Sequence, residues 1–477
     1  MLQIGEHEDP MSQPTLPLPI GRQKDVLYLP SRGHFVVLGT AGSGKTTLAI
    51  LRAAYLGNPN TDNNGQTLLV TFNRALVSYL RQFQGSHFRN VVVENYHLFA
   101  RGYLNSRGRM RNNSICDGNL RELLVLKAIL ATAQAKGDHA VLGRGFEFFS
   151  KEIEWIQQHG INSAQNYVQI ERIVRGETPL NEKSRALVFD VYEEYLSLRK
   201  AERKDFDWDD MANGVCEELD NDASRRRYKH VVIDEGQDFS PQMIRSLAKA
   251  IPTDGSLTFF GDMAQQIYGQ RMTWRSAGLN IAQVWEFKEN YRNTRQIADV
   301  ALAIGRMPYY EGTPDIVEPV SPRADGPLPA LVECPSTRRE IALVLELAVQ
   351  AGKTQTVAIL GRTWGLVDAI ARQLPRSAIK LHRELTTWQA GPGIYYGTFY
   401  GAKGLEFDTV FLPFLTNSNI PDKGQVKGLG EEGARSVDGK LLYVGVTRAK
   451  TRLVITFTGN ITELLPPDKT LYQASKA

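Results

Sequence analysis

Three cysteines stand in 477 residues, Cys116, Cys216 and Cys334, and they lie too far apart to form a disulfide framework or a C-x-x-C metal pair. A reducing, cytoplasmic setting is therefore expected. No uncharged apolar run approaches the roughly 18 residues that a membrane span needs, so no membrane association is expected. The acidic, proline-bearing N-terminus has neither the basic n-region nor the apolar h-region of a secretory leader. Net charge is also scarce: 56 basic and 52 acidic side chains leave only +4. Bulk charge thus neither demands nor excludes nucleic acid, and that argument has to come from local groups. What remains is the make-up of an ordinary globular protein, 42% apolar and 23% charged. The length suffices for about three domains with cores of their own.

One stretch organises the rest. Phe35-Val36-Val37-Leu38 is a short apolar run, Gly39 to Gly44 is a glycine-rich turn, and from Lys45 an apolar-periodic segment carries Leu48, Leu51 and Tyr55. This is strand, loop and helix around G-x-x-x-x-G-K-[ST]. The amides of Gly39, Thr40, Ala41, Gly42, Ser43 and Gly44 can point inward at an anion, and the helix start at Lys45, Thr46 and Thr47 adds its positive dipole end. Lys45 reaches the outer phosphates and the Thr46 hydroxyl holds magnesium, so a nucleotide with Mg2+ is expected here.

A second apolar strand, His230-Val231-Val232-Ile233, ends in Asp234-Glu235. A nucleotide hydrolase needs such a pair opposite its phosphate loop: Asp234 for the magnesium shell, Glu235 to orient the attacking water. A third, Leu257 to Phe260, ends in Gly261-Asp262 and places Gln265 where it senses the γ phosphate. Two further short strands end in Phe72-Asn73 and Tyr96-His97, and a doubly wound sheet binds ligands along that edge. For Phe72 and Tyr96 core packing is an equally good reading. Residues 1–19 carry four prolines and read as a loose lead-in. From Leu104 to Arg203 the pattern turns helical, around 120–131, 146–158 and 186–198. Its opening, Arg101 to Arg111, holds four arginines that either track phosphates or sit on a surface loop.

Taken together, GTAGSGKTT, DFDWDD, DEGQD, GDMAQQIY, ENYRN, GAKGLEF and LYVGVTRAK resemble, in order and spacing, the successive motifs of the UvrD, Rep and PcrA type of superfamily one helicase. The resemblance runs from Gln23 to Lys450. It implies an α/β fold with two RecA-like P-loop NTPase domains, parallel sheets flanked by helices, and a helical insertion in the first. The expected division is 1–104 with 204–282 for the first motor domain, 105–203 for the insertion, and 283–477 for the second motor domain. The same resemblance puts Gln23 at the adenine edge, Tyr291 against the adenine face and Glu406 at the ribose. It places Gln265, Arg292 and Arg448 at the γ phosphate. Phe72, Asn73, Tyr96, His97, Arg271 and Tyr400 fall on strand-contacting positions. The implied activity is an ATP hydrolase that translocates on single-stranded DNA, 3′ to 5′, as a helicase. Two other readings stay open: an ATP-gated nucleic-acid-binding subunit of a repair or defence complex, and an RNA-directed motor.

This chain departs from the family at three places. Gln270 stands where a base-stacking tryptophan is usual, leaving Trp274 as the nearest substitute, and Tyr400 replaces the usual histidine. The family's insertion domain in the second lobe shrinks to Pro375–Pro392, which is too short to bury a core. Weak unwinding is therefore expected unless a protein partner activates it. Pro308 to Pro329 reads as a long surface connection, and the tail from Pro466 as frayed.

Overall fold

A computed structural model describes residues 19, 23–39, 42–72, 77, 90–169, 180–262, 274–275, 277–281, 283–287, 293–310, 324–381 and 391–477. Thr40, Ala41, Asn73, Gln265, Arg271, Tyr291 and Arg292, all named above, lie outside the described residues.

The first lobe is a six-stranded parallel sheet: β1 (Gly33–Gly39), β2 (Thr67–Thr71), β3 (Val91–Asn95), β4 (His230–Ile233), β5 (Ser256–Gly261) and β6 (Val284–Phe287), in the order β3-β2-β4-β5-β1-β6. The strands are nearly continuous apolar runs because both faces are covered, as parallel sheets require. Alternate residues serve the two faces. Val37, Leu69, Val232 and Phe260 pack with Leu48, Ile50 and Ala53 of the helix Lys45–Gly57. Val36, Val70, Ile233 and Phe259 pack with Phe99, Met211 and Met243 on the other side. Because β6 pairs with β1 in parallel register from Val36↔Val284 to Gly39↔Phe287, the first lobe runs past the expected boundary at residue 282.

The expected helical insertion is present. Helices Gly118–Lys136, Phe146–His159, Ala164–Gln169 and Glu182–Ala201 enclose a core of their own, with Phe149, Ile153, Tyr167, Val188 and Tyr195 at its centre. The chain returns from it through Asp205–Asp210 into helix Met211–Asn221.

The second lobe is a seven-stranded sheet, again all parallel: β7 (Ala330–Cys334), β8 (Thr356–Gly361), β9 (Ile379–Lys380), β10 (Gly393–Thr398), β11 (Phe407–Leu412), β12 (Ala449–Thr458) and β13 (Gln473–Lys476), in the order β13-β7-β12-β11-β8-β10-β9. Two clusters again divide the strands, Leu360, Val410, Leu412 and Ile455 on one face and Val357, Ile359, Phe411 and Val454 on the other. The tail expected to fray instead adds the edge strand β13, which pairs with β7 from Gln473↔Ala330 to Lys476↔Glu333. A short exposed polar strand carries no hydrophobic signal, and backbone pairing together with the Lys476–Glu333 ion pair at 3.0 Å fixes it. No helix among the described residues is long and apolar enough to cross a membrane.

Candidate functional site

The sheet order sets the site. In the first lobe β1 lies between β5 and β6, with β4 next to β5. The loop after β1 and the acidic turns after β4 and β5 therefore open on one edge, at the carboxyl ends of the strands. Gly44 caps the helix Lys45–Gly57 in a left-handed conformation, φ 82°, that a side chain rarely adopts. The loop thereby turns into the helix with its amides and dipole facing one point. The Lys45 ammonium donates to the Gly39 carbonyl at 2.7 Å and lies 3.7 Å from Asp262. Gln23 packs on the loop's outer side, its amide donating to the Ser43 carbonyl at 3.2 Å.

Opposite, Asp234 is buried and accepts from the Thr46 hydroxyl, while its Oδ2 has no hydrogen-bond partner among the described residues. Burial, and then the charge of Glu235, push its carboxyl well above the ordinary range. A buried carboxylate oxygen without a partner, beside a hydroxyl and a phosphate loop, suits a hard divalent cation. Magnesium commonly takes one or two carboxylates and fills the rest of its shell with phosphate and water, so Asp234 with Thr46 fits it. Glu235 behaves in the opposite way. Burial alone would raise it, but the charges of Lys403, Arg448 and Lys45 and the Gln237 amide outweigh burial and hold it below its ordinary value. Its backbone is left-handed at φ 52°, a conformation that costs energy in a non-glycine residue and aims this side chain away from the strand. Gly236 lets the turn sit on the Phe259 ring, where a Cβ would come within 2.2 Å. Gln237 ties the two acidic turns together, donating to Glu235 and accepting from the Asp262 amide at 2.8 Å.

The second lobe closes the other side. Lys403, in the turn before β11, reaches across to form a buried ion pair with Asp238. Burial lifts Asp238 to about 6 even against that cation. Arg448, at the end of helix Lys423–Thr447, is 1% exposed. Its guanidinium donates to the carbonyls of Val444 and Leu405 at 3.0 and 3.2 Å and to the Thr447 hydroxyl at 3.1 Å, and its charge acts on Glu235. Glu406 and Tyr400 are half-buried beside the same turn.

At the far end of the first sheet, β2 and β3 deliver Phe72 and His97, both half-buried, with ring centroids 5.3 Å apart. Tyr96 does not join them. It is fully buried, donates to or accepts from Ser246 at 2.8 Å and packs edge-on against Phe239, so no face is open to a base. Its role as a strand contact is therefore replaced by one in the core. The arginines of residues 101–111 are largely committed as well: Arg107 pairs with Asp222, Arg109 with Glu218, Arg111 with Asp205. That neutralisation favours the surface-loop reading. Trp274 packs edge-on against Phe259 at 5.0 Å, in the first-lobe core.

Of the expected nucleotide residues, the structure brings Gln23, Lys45, Thr46, Asp234, Glu235 and Arg448 to one cleft. Sequence reasoning missed four that join them: Gln237, Asp238, Asp262 and Lys403. Their signal was available, since all four lie inside motifs already quoted, one or a few residues from the assigned positions. Each was passed over because a polar residue in a turn usually faces solvent.

Residues 21–291 match the UvrD/REP helicase N-terminal domain and residues 383–460 the UvrD-like helicase C-terminal domain. Similar curated proteins include the ATP-dependent DNA helicase UvrD2 of Mycobacterium bovis, 24% identical over 91% of this chain and 78% of that protein. The ATP-dependent DNA helicase srs2 of Schizosaccharomyces pombe is 26% identical over 56% of this chain and 32% of its own length. DNA helicase II of Rickettsia typhi is 35% identical over 17% of this chain and 12% of its own.

Proposed function

The chain belongs to the UvrD/REP helicase family, and we propose that it is an ATP-driven translocase on single-stranded DNA, moving 3′ to 5′ and unwinding weakly by itself. The observation that carries the reading is the convergence on Glu235 of cations from both lobes: Lys45 from the first, Lys403 and Arg448 from the second. A hydrolytic site whose electrostatics depend on two lobes changes when they part, and that is how nucleotide state becomes lobe movement.

Within this reading Lys45 and the loop amides bind the phosphates, Gln23 marks the adenine side, and Glu235 accepts a proton from the water that its carboxylate orients. Asp234 and Thr46 would hold the magnesium ion, which supplies charge neutralisation on the phosphates when bound. Arg448 supplies a planar cation toward the phosphate that departs. Gln265, Tyr291 and Arg292, outside the described residues, complete the family's assignment, and Glu406 faces the ribose. The DNA strand runs along the sheet edges past Phe72, Asn73 and His97 in the first lobe, with Arg271 and Tyr400 as further contacts.

Weak unwinding rests on chain length. Between helix Trp364–Ala371 and β10 stand residues 372–392, and among the described residues there the element is β9, of two residues. Single-turnover strand displacement on duplexes with a 3′ or a 5′ single-stranded tail tests polarity and strength together. Slow displacement from the 3′ tail, accelerated by a partner, is expected. ATP hydrolysis with movement along neither tail would favour the ATP-gated binding subunit instead.

A further inference from the structure

The first-lobe aromatic edge does not end at His97. Trp208, in the segment that returns from the helical insertion, lies with its ring centroid 5.2 Å from that of His97 at an interplanar angle of 89°. Phe72, His97 and Trp208 thus form one row, each half-buried, starting at the ends of β2 and β3 and leaving the sheet.

The segment holding Trp208 is pinned on both sides. Phe206 enters the first-lobe core. Asp207, almost fully buried, accepts from the Tyr195 hydroxyl and the Gln157 amide, both at 2.6 Å, and Asp210 accepts from Arg199 at 2.6 Å. Trp208 is the large apolar side chain in between that stays partly outside. Its indole N–H donates to Asp117 at 3.2 Å, which fixes the ring's tilt. A ring held this way loses little freedom when a base stacks on it. The Asp117 carboxylate on the indole edge repels phosphate, while Asp209, next in sequence, is held inward by the Gln158 amide at 2.8 Å. A strand passing here therefore meets the row with its bases.

We propose that Trp208 is a base-stacking platform for single-stranded DNA, extending the Phe72–His97 row from the sheet edge onto the segment that returns from the helical insertion. It supplies from another element the π face that Gln270 does not provide. The inference rests on the nucleic-acid reading given above. Stacking is tolerant of sequence, so the platform binds without regard to base identity.

The test uses the full chain and labelled oligo(dT), with Kd followed by anisotropy over a salt series. Trp208→Leu keeps apolar bulk and removes the π face; Trp208→Phe keeps a face. Loss of one stacked base should weaken binding by roughly 5- to 150-fold in Trp208→Leu. Trp208→Phe should stay within about threefold of wild type on the same stacking argument. The slope of log Kd against log salt should not change, because no phosphate contact is removed. Wild-type affinity in Trp208→Leu, or a loss that phenylalanine does not rescue, overturns the proposal. Should Trp208→Leu fold poorly, tryptophan quenching by oligo(dT) decides: wild type should show a quenched component that Trp208→Phe lacks, and equal quenching overturns it. A wild-type protein that binds no oligo(dT) overturns the underlying reading instead.

Discussion

Lys403 of the second lobe and Asp238 of the first meet as an ion pair whose side chains are 1% and 2% exposed. One member of each motif turn is thus spent on joining the lobes beside Glu235. Removing one partner of a buried pair leaves the other charge unmatched, at a cost of about 3–5 kcal/mol. Lys403→Met is therefore expected to lower turnover strongly. Lys403→Met combined with Asp238→Leu should recover part of the stability in thermal unfolding, though not the turnover. Additive losses in that double-mutant cycle would show that the pair does not act as a unit.

Glu235→Gln should keep ATP and magnesium binding and lose hydrolysis, because the proposed mechanism uses this carboxylate, lowered by the charges of Lys403, Arg448 and Lys45, as the base. Lys45→Ala should weaken both, since its ammonium sits in the mouth of the phosphate loop. Nucleotide binding by fluorescence and single-turnover hydrolysis separate the two effects. Undiminished turnover in Glu235→Gln would remove that residue from the mechanism.

Arg448→Ala should cut turnover by roughly 10³ to 10⁵, the range of arginine fingers, with little loss of ATP affinity. Lysine should not rescue it. The guanidinium uses three of its nitrogens on Val444, Leu405 and Thr447, a fan that a single ammonium does not reproduce. Near-normal hydrolysis by Arg448→Ala would contradict the assignment.

His230 gives a pH dependence with a definite sign. Its Nε2 faces the Asn63 carbonyl at 2.8 Å and so carries the proton, leaving Nδ1 to accept from Ser256 at 2.9 Å. Burial lowers its pKa to about 4 from 6.5. The folded state resists protonation that the unfolded chain accepts, so stability should fall as pH drops from 6.5 towards 4, at up to about 1.4 kcal/mol per pH unit. Denaturant unfolding of wild type against His230→Gln isolates this contribution. Parallel pH profiles would refute it.

Much of this was legible in the chain. The strands β1, β2, β4 and β5 are apolar runs ending in polar turns, so their place in a parallel sheet and the cleft at their ends could be read directly. Tyr96 could not be resolved, because an aromatic at a strand end reads the same whether it faces a strand of DNA or Phe239. That the first sheet extends past residue 282 is hard to read for a related reason: β6, Val284–Phe287, has one buried residue in four, which gives little apolar signal. Strand β13 is exposed throughout and gives none. Lys403 and Asp238 lie in polar turns and are buried where the two lobes meet, which no local pattern announces.

The proposed coupling of ATP hydrolysis to single-stranded DNA is tested most directly by the steady-state ATPase rate of the isolated protein with and without oligo(dT), and with oligo(U) as the RNA control. The account predicts strong stimulation by the DNA and little by the RNA. A rate indifferent to both, or raised by oligo(U) alone, would contradict it.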